Sequence, residues 1–145
     1  MASTIASIQL PVSAGRVWQL IGGFNALPDW LPYIPHSELS EGGRVRTLAN
    51  PDGDAIVERL EAYNDKERYY SYSILKAPFP SKDYYATLRV KPDGESASVV
   101  EWSGSFTPVG VSEQEAVQLF NGIYTDGLQA LKENILRTPP GATTA

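Results

Sequence analysis

Glu58 is the side chain with the most to offer as a chemical group, and its value depends on which way it points. It stands in Ala55-Ile56-Val57-Glu58-Arg59-Leu60-Glu61-Ala62-Tyr63, a run that reads as a strand. Alternate residues of a strand share a face, so Glu58 lies with Ile56, Leu60 and Ala62. If that face is covered, a carboxylate enters an apolar interior, where it needs a partner or its pKa rises. Either outcome makes it useful as a hydrogen-bond acceptor or a general acid/base. If the face meets solvent, Glu58 is part of a charged edge with Arg59 and Glu61. The pattern alone supports both.

Eight tyrosines are the other chemical resource. Tyr70, Tyr72 and Ile74 share one parity, as do Tyr84, Ala86 and Leu88, so two neighbouring strands bring phenols to one face. Such hydroxyls fix the polar end of an apolar ligand or stabilise a developing enolate; equally, they are core aromatics whose hydroxyls reach the rim. Phe120, Tyr124 and Leu128 recur at helical spacing and are first of all a core face. Gly127 lies on the same side, where loss of bulk leaves room for close packing or for a cavity. Enlarging it to leucine is expected to fill such a cavity. Trp102 belongs to an apolar set with Val100, Gly104 and Phe106 that turns inward. Trp30, with Phe24 and Tyr33, forms a pocket wall or pins short helices to a sheet.

The elements that must position these groups follow from periodicity and punctuation. Thr4 to Leu10 alternates as a strand and stops at Pro11. Ser13 caps a helix that ends at Gly22-Gly23, and Phe24 to Pro32 holds at most a second short helix. Strands follow at Ile34 to Ser40, Arg44 to Ala49, Ala55 to Tyr63, Arg68 to Leu75, Lys82 to Val90 and Ser98 to Phe106. Their connections are hairpin-length turns, Asn50-Pro51-Asp52-Gly53-Asp54 being the clearest, so the strands pair antiparallel. Ser112 then caps a long amphipathic helix reaching Arg137, with Glu113 and Glu115 in its first turn. Residues 1–137 read as one α+β domain, a curved antiparallel sheet of about seven strands holding a C-terminal helix. Residues 138–145 read as a disordered tail.

Composition removes several functions. Twelve Lys and Arg against seventeen Asp and Glu give a net charge of −5, which argues against nucleic-acid binding. The absence of cysteine removes thiol catalysis and cysteine-based metal sites. His36 is the only imidazole and the only further titratable group the sequence suggests near Glu58, so no metal or cofactor site is expected. No stretch is apolar enough for membrane insertion, and the first residues lack a signal-peptide pattern, so a cytoplasmic protein is expected.

Val12-Ser13-Ala14-Gly15-Arg16-Val17-Trp18, Asn25 to Trp30, Glu58-Arg59-Leu60-Glu61, Tyr72-Ser73-Ile74, Glu101-Trp102 and Thr107-Pro108 occur in the order of a known family. Over about residues 2–137 the chain resembles the START/SRPBCC superfamily, the helix-grip fold of birch-pollen-type allergens and polyketide cyclases. Its middle looks most like bacterial relatives of the plant abscisic-acid receptors. The resemblance implies a Glu-Arg-Leu glutamate in a polar ligand network at Glu58, and pocket positions at Tyr72, Ile74 and Tyr84. It departs where those receptors carry a Ser-Gly-Leu-Pro gate, since Asn50-Pro51-Asp52-Gly53 stands here. The His-Arg-Leu latch is likewise replaced, near Phe79-Pro80-Ser81, and no lysine stands near Pro35 or His36 to clamp a ligand. Hormone sensing is therefore not implied.

The expected function is binding of a small apolar or aromatic ligand in a cavity between sheet and long helix. Access is expected between the Asn50–Asp54 and Ala77–Ser81 loops and beside the second short helix. Glu58, Tyr72, Tyr84, Ile74, Ala86, Trp102, Phe120, Tyr124, Gly127, Leu128 and Trp30 are the expected ligand residues. The alternative is a cyclase or dehydratase using Glu58 as acid/base and Tyr84 as its partner. The oligomeric state is open, a dimer included.

Overall fold

Hairpin-length turns leave seven strands little choice but to lie beside their sequence neighbours, and six of them do so. The computed structural model describes residues 1–49, 52–53 and 55–137. The strands are β1 (Ala2–Leu10), β2 (His36–Ser40), β3 (Val45–Ala49), β4 (Ala55–Asn64), β5 (Tyr69–Lys76), β6 (Ser81–Pro92) and β7 (Ser98–Pro108). They form one antiparallel sheet in the order β1-β7-β6-β5-β4-β3-β2. Only β1 lies away from its sequence neighbour, paired with the last strand. Between β1 and β2 come two short helices, α1 (Ala14–Ile21) and α2 (Leu27–Trp30). The long helix α3 (Glu113–Arg137) follows β7 and rests on β1 and β7, with a smaller contact to α2. This is the helix-grip architecture. The expected tail at 138–145, and Asn50, Pro51 and Asp54 of the expected access loop, lie outside the described residues.

Local chemistry starts and stops these elements as the sequence suggests. The Ser13 hydroxyl accepts from the Arg16 amide at 3.3 Å and opens α1. Ser112 and Glu115 form a reciprocal capping box at the head of α3. The Glu115 amide donates to the Ser112 hydroxyl at 3.1 Å, and the Ser112 amide donates to Glu115 Oε1 at 3.3 Å. The β2–β3 connection needs left-handed backbone at Glu41, Gly42 and Gly43 (φ 53°, 69° and 90°), which explains its two glycines.

The sheet's inner face supplies the core. Val100, Trp102 and Phe106 of β7 are all at most 5% exposed. Glu101 turns outward to meet Lys91 at 3.1 Å. The apolar set, not the carboxylate, therefore faces inward. Phe106 and Phe120 rings meet at 4.5 Å, and the Trp102 ring stacks on Tyr124 at 4.9 Å. Glycines permit these approaches. Gly104 leaves room for the Tyr124 hydroxyl, and a Cβ on Gly127 would lie 2.7 Å from the Trp102 ring. Gly127 thus serves close packing of α3 on Trp102, and leucine there would displace Trp102 rather than fill a cavity.

A test follows from that contact. Gly127→Ala gains about 1 kcal/mol of helix propensity, but overpacking against a wedged indole costs about 1–3 kcal/mol. The expected result is a lower denaturation midpoint in urea with an unchanged slope. A raised midpoint would show that Trp102 yields freely.

Candidate functional site

Alternate residues of β3 and β4 turn to the interior, and the alternation places ionisable groups there. In β4 the side chains of Ile56 and Glu58 are buried while Ala55 and Arg59 are exposed. In β3 the same holds for Arg46 and Leu48. Arg46 stands directly opposite Glu58 in the β3–β4 register, and the two are 1% and 6% exposed. Burial of either charge alone would be prohibitive, so each supplies what the other needs.

The pair is unsymmetrical. Arg46 Nε donates to Glu58 Oε1 at 2.8 Å, and Nη2 approaches the same oxygen at 2.7 Å. Arg46 Nη1 donates to the Phe24 carbonyl at 2.8 Å and to the Tyr70 hydroxyl at 3.2 Å. The guanidinium carbon also sits 4.2 Å from the Phe24 ring centre and 5.0 Å from that of Tyr72. Among the described residues, Glu58 Oε2 has no hydrogen-bond partner. Burial pushes the Glu58 carboxyl above its usual range, and the charge and hydrogen bonds of Arg46 oppose that rise. Burial works against the Arg46 charge as well. Its interactions with Tyr70, Glu58 and Tyr72 outweigh that cost and hold it protonated.

A chain of phenols continues from this pair. Trp102 Nε1 donates to the Tyr72 hydroxyl at 3.0 Å, and that hydroxyl lies 3.5 Å from the hydroxyl of Tyr84. Tyr84 in turn is hydrogen-bonded to Tyr124 on α3, linking sheet to helix. Burial raises the pKa of all three tyrosines, and the nearby Glu58 charge adds to the rise at Tyr72 and Tyr124. They stay protonated and able to donate. Tyr33, at the α2 end, is pushed up to about 12 by burial and by Asp126. Its buried hydroxyl has no partner among the described residues.

These groups border a cavity of about 230 Å³ between the sheet, α3 and the segment around α2. Glu58, Tyr72, Ile74, Tyr84 and Trp102 form its sheet side, and Phe120 and Tyr124 its helix side. Arg46, Tyr33 and Phe79 also line it. A larger hollow of about 580 Å³ lies on the outer face of the sheet around Arg44, Arg59 and Leu75. Its walls are exposed or half-buried, with no buried polar group, so the chemistry is in the inner one.

Seven of the eleven side chains singled out from the sequence border this cavity. Ala86, Leu128, Gly127 and Trp30 do not: they are buried in the core beside it, Trp30 against Trp102 at 5.9 Å between rings. His36 is no partner for Glu58. It is exposed on β2 and lies 3.7 Å from Glu38. The further titratable group in the cavity is Arg46. A signal for it exists in the sequence: counting outward from the Asn50–Asp54 turn pairs Leu48 with Ile56 and Arg46 with Glu58. Among the described residues no cluster of metal-ligating side chains occurs, and no helix is long and apolar enough to cross a membrane.

Comparison with known proteins agrees with this geometry. Residues 1–135 match the family described as polyketide cyclase/dehydrase and lipid transport. The protein XoxI of Bacillus cereus is 64% identical, over 94% of this chain and 96% of its own, with a TM-score of 0.91. The Zhui aromatase/cyclase of a Streptomyces species is 15% identical over 95% of this chain and 96% of its own, at a TM-score of 0.74. A START superfamily protein of Mycobacterium smegmatis is 14% identical over 96% of this chain and all of its own, at 0.77. The last two likenesses concern the fold alone. No curated protein matches the chain in sequence. With its helix-grip sheet, its long closing helix and a family match over nearly its whole length, the chain belongs to the polyketide cyclase/dehydrase and lipid-transport family.

Proposed function

We propose that the chain binds a small apolar or aromatic molecule in the cavity between sheet and α3. One observation carries the reading: a mostly apolar hollow with a few convergent, buried polar groups on one side, the arrangement that orients a small ligand. Apolar walls supply affinity by burial, and Glu58, Tyr72, Tyr84 and Tyr124 fix the ligand's polar end. The volume, about 230 Å³, suits a molecule of two or three fused rings better than a long lipid.

Titration with 2-methoxynaphthalene, followed by calorimetry, tests this. One-to-one saturable binding is expected, and Ile74→Trp, which fills the cavity from its half-buried wall, is expected to abolish it with the circular dichroism unchanged. Binding that survives Ile74→Trp would move the ligand elsewhere.

A second reading, acid/base catalysis at Glu58 as in a cyclase or dehydratase, draws on the unpartnered Oε2. An acid/base needs a lone pair that no partner occupies. Against it stands Arg46, whose Nε donation to Oε1 and ion pair through Nη2 stabilise the carboxylate and lower its basicity. Proton exchange at the α-carbon of 2-tetralone in heavy water separates the two. Binding alone leaves the buffer rate unchanged, whereas acceleration that Glu58→Gln removes would establish catalysis.

A further inference from the structure

Among the described residues, two charged side chains line the cavity, Arg46 and Glu58, and they neutralise each other. What each has left over is different. Arg46 has five N–H donors as any arginine does; three donate to Glu58 Oε1, the Phe24 carbonyl and the Tyr70 hydroxyl, and Nη2 is drawn to the same Glu58 oxygen. The rings of Phe24 and Tyr72 flank its guanidinium. It is not presented to a ligand as an anion receptor. Glu58 Oε2, by contrast, has an acceptor's full capacity and no partner among the described residues. Among the described residues, no lysine or histidine lines the cavity to offset a second negative charge.

The neighbouring phenols complete the pattern. The Tyr72 hydroxyl accepts from Trp102 Nε1 and has only the Tyr84 hydroxyl, at 3.5 Å, to share its own proton with. A hydroxyl on the ligand could donate to Glu58 Oε2 and accept from a tyrosine of this chain. A carboxylate has no proton to donate and would bring its charge beside Glu58 in a mostly apolar hollow.

We propose that the cavity selects a neutral molecule carrying a hydrogen-bond donor, an un-ionised phenol or enol above all, and rejects carboxylates of the same size. This rests on the reading of the cavity as a ligand site and adds the chemistry that site accepts. It sets the protein apart from a carrier of fatty acids, whose headgroup is the anion this cavity is built to refuse.

Three probes of one ring system decide it: 2-naphthol, 2-methoxynaphthalene and 2-naphthoate, titrated into the wild-type protein at neutral pH. Naphthol is expected to bind tightest. Capping its hydroxyl as the methyl ether removes a hydrogen bond to a charged acceptor and weakens binding by about tenfold or more. Naphthoate is expected to bind about a hundredfold more weakly than naphthol, because its carboxylate gives up water, has no proton for Glu58 Oε2 and finds the Arg46 charge already paired. Naphthoate binding as tightly as naphthol overturns the selectivity, as does an ether that binds as tightly as naphthol. If none of the three binds, the ligand-site reading falls and the inference falls with it. Glu58→Gln provides an independent check through Arg46. With its counter-charge gone, the guanidinium becomes available, so naphthoate is expected to gain affinity while naphthol loses it. Glu58→Gln leaving the preference unaltered also overturns the proposal, and the wild-type series stands by itself if that variant does not fold.

Discussion

Arg46→Ala is expected to destabilise the protein by about 3–5 kcal/mol, the loss typical of stranding one member of a buried ion pair. Arg46 is 1% exposed and Glu58 6%, so neither has water to fall back on. Removing the guanidinium strands the Glu58 carboxylate and also frees the Phe24 carbonyl and the Tyr70 hydroxyl from their shared donor. It leaves a void between the Phe24, Tyr70 and Tyr72 rings as well. Glu58→Ala is expected to cost a comparable amount by leaving the cation alone. The double variant Arg46→Met with Glu58→Leu separates charge from shape. It removes both charges at similar volume and is expected to recover most of the loss, because a buried pair contributes little net stability beyond an apolar replacement. Urea denaturation of the wild type, Arg46→Met, Glu58→Leu and the double variant closes the cycle. Additive losses in the double variant would mean that the two side chains do not act as a unit.

Alkali is expected to unfold the protein earlier than surface chemistry requires. Tyrosine ordinarily ionises near pH 10.0, and burial raises Tyr72, Tyr84 and Tyr124 above that in the folded state. Between the unfolded and folded values the native state binds more protons than the unfolded one, so stability falls as pH rises. The contribution is whole below pH 10 and is lost as pH climbs through the folded values. Each group gives up to about 1.4 kcal/mol per pH unit, so the three together give up to about 4 kcal/mol per unit. Tyrosinate absorbance followed alongside circular dichroism measures it. Ionisation of these tyrosines is expected to coincide with loss of structure, and Tyr84→Phe to reduce the pH slope by about a third. Complete tyrosine ionisation in a chain that keeps its native dichroism would refute it.

The sequence was most legible where local rules act alone. Ser13 and Ser112 mark their helices through caps that bond as their residue types predict, and the alternation of β4 and β7 is decided by apolar side chains. Trp102 and Phe106 settle the facing of β7 because burying two large rings outweighs turning Glu101 inward. Legibility failed where a residue's meaning depends on a partner in another strand. Arg46 reads as an ordinary surface arginine until pairing puts it opposite Glu58, and nothing in its own segment announces that. Gly127 failed differently. Its missing side chain signals close approach, but only the indole of Trp102 on β7 says that the space is already taken.

The pairing of β1 with β7 has a consequence for how the chain reaches this structure. Ala2 lies opposite Phe106, and Leu10 opposite Ser98, so the first strand pairs with the last one made. During synthesis β1 and its buried residues wait until nearly every other strand has been translated. Closing a loop of that length before any contact rewards it slows folding, and the waiting strand edge is open to pairing with another chain. Completion of the sheet therefore waits for β7.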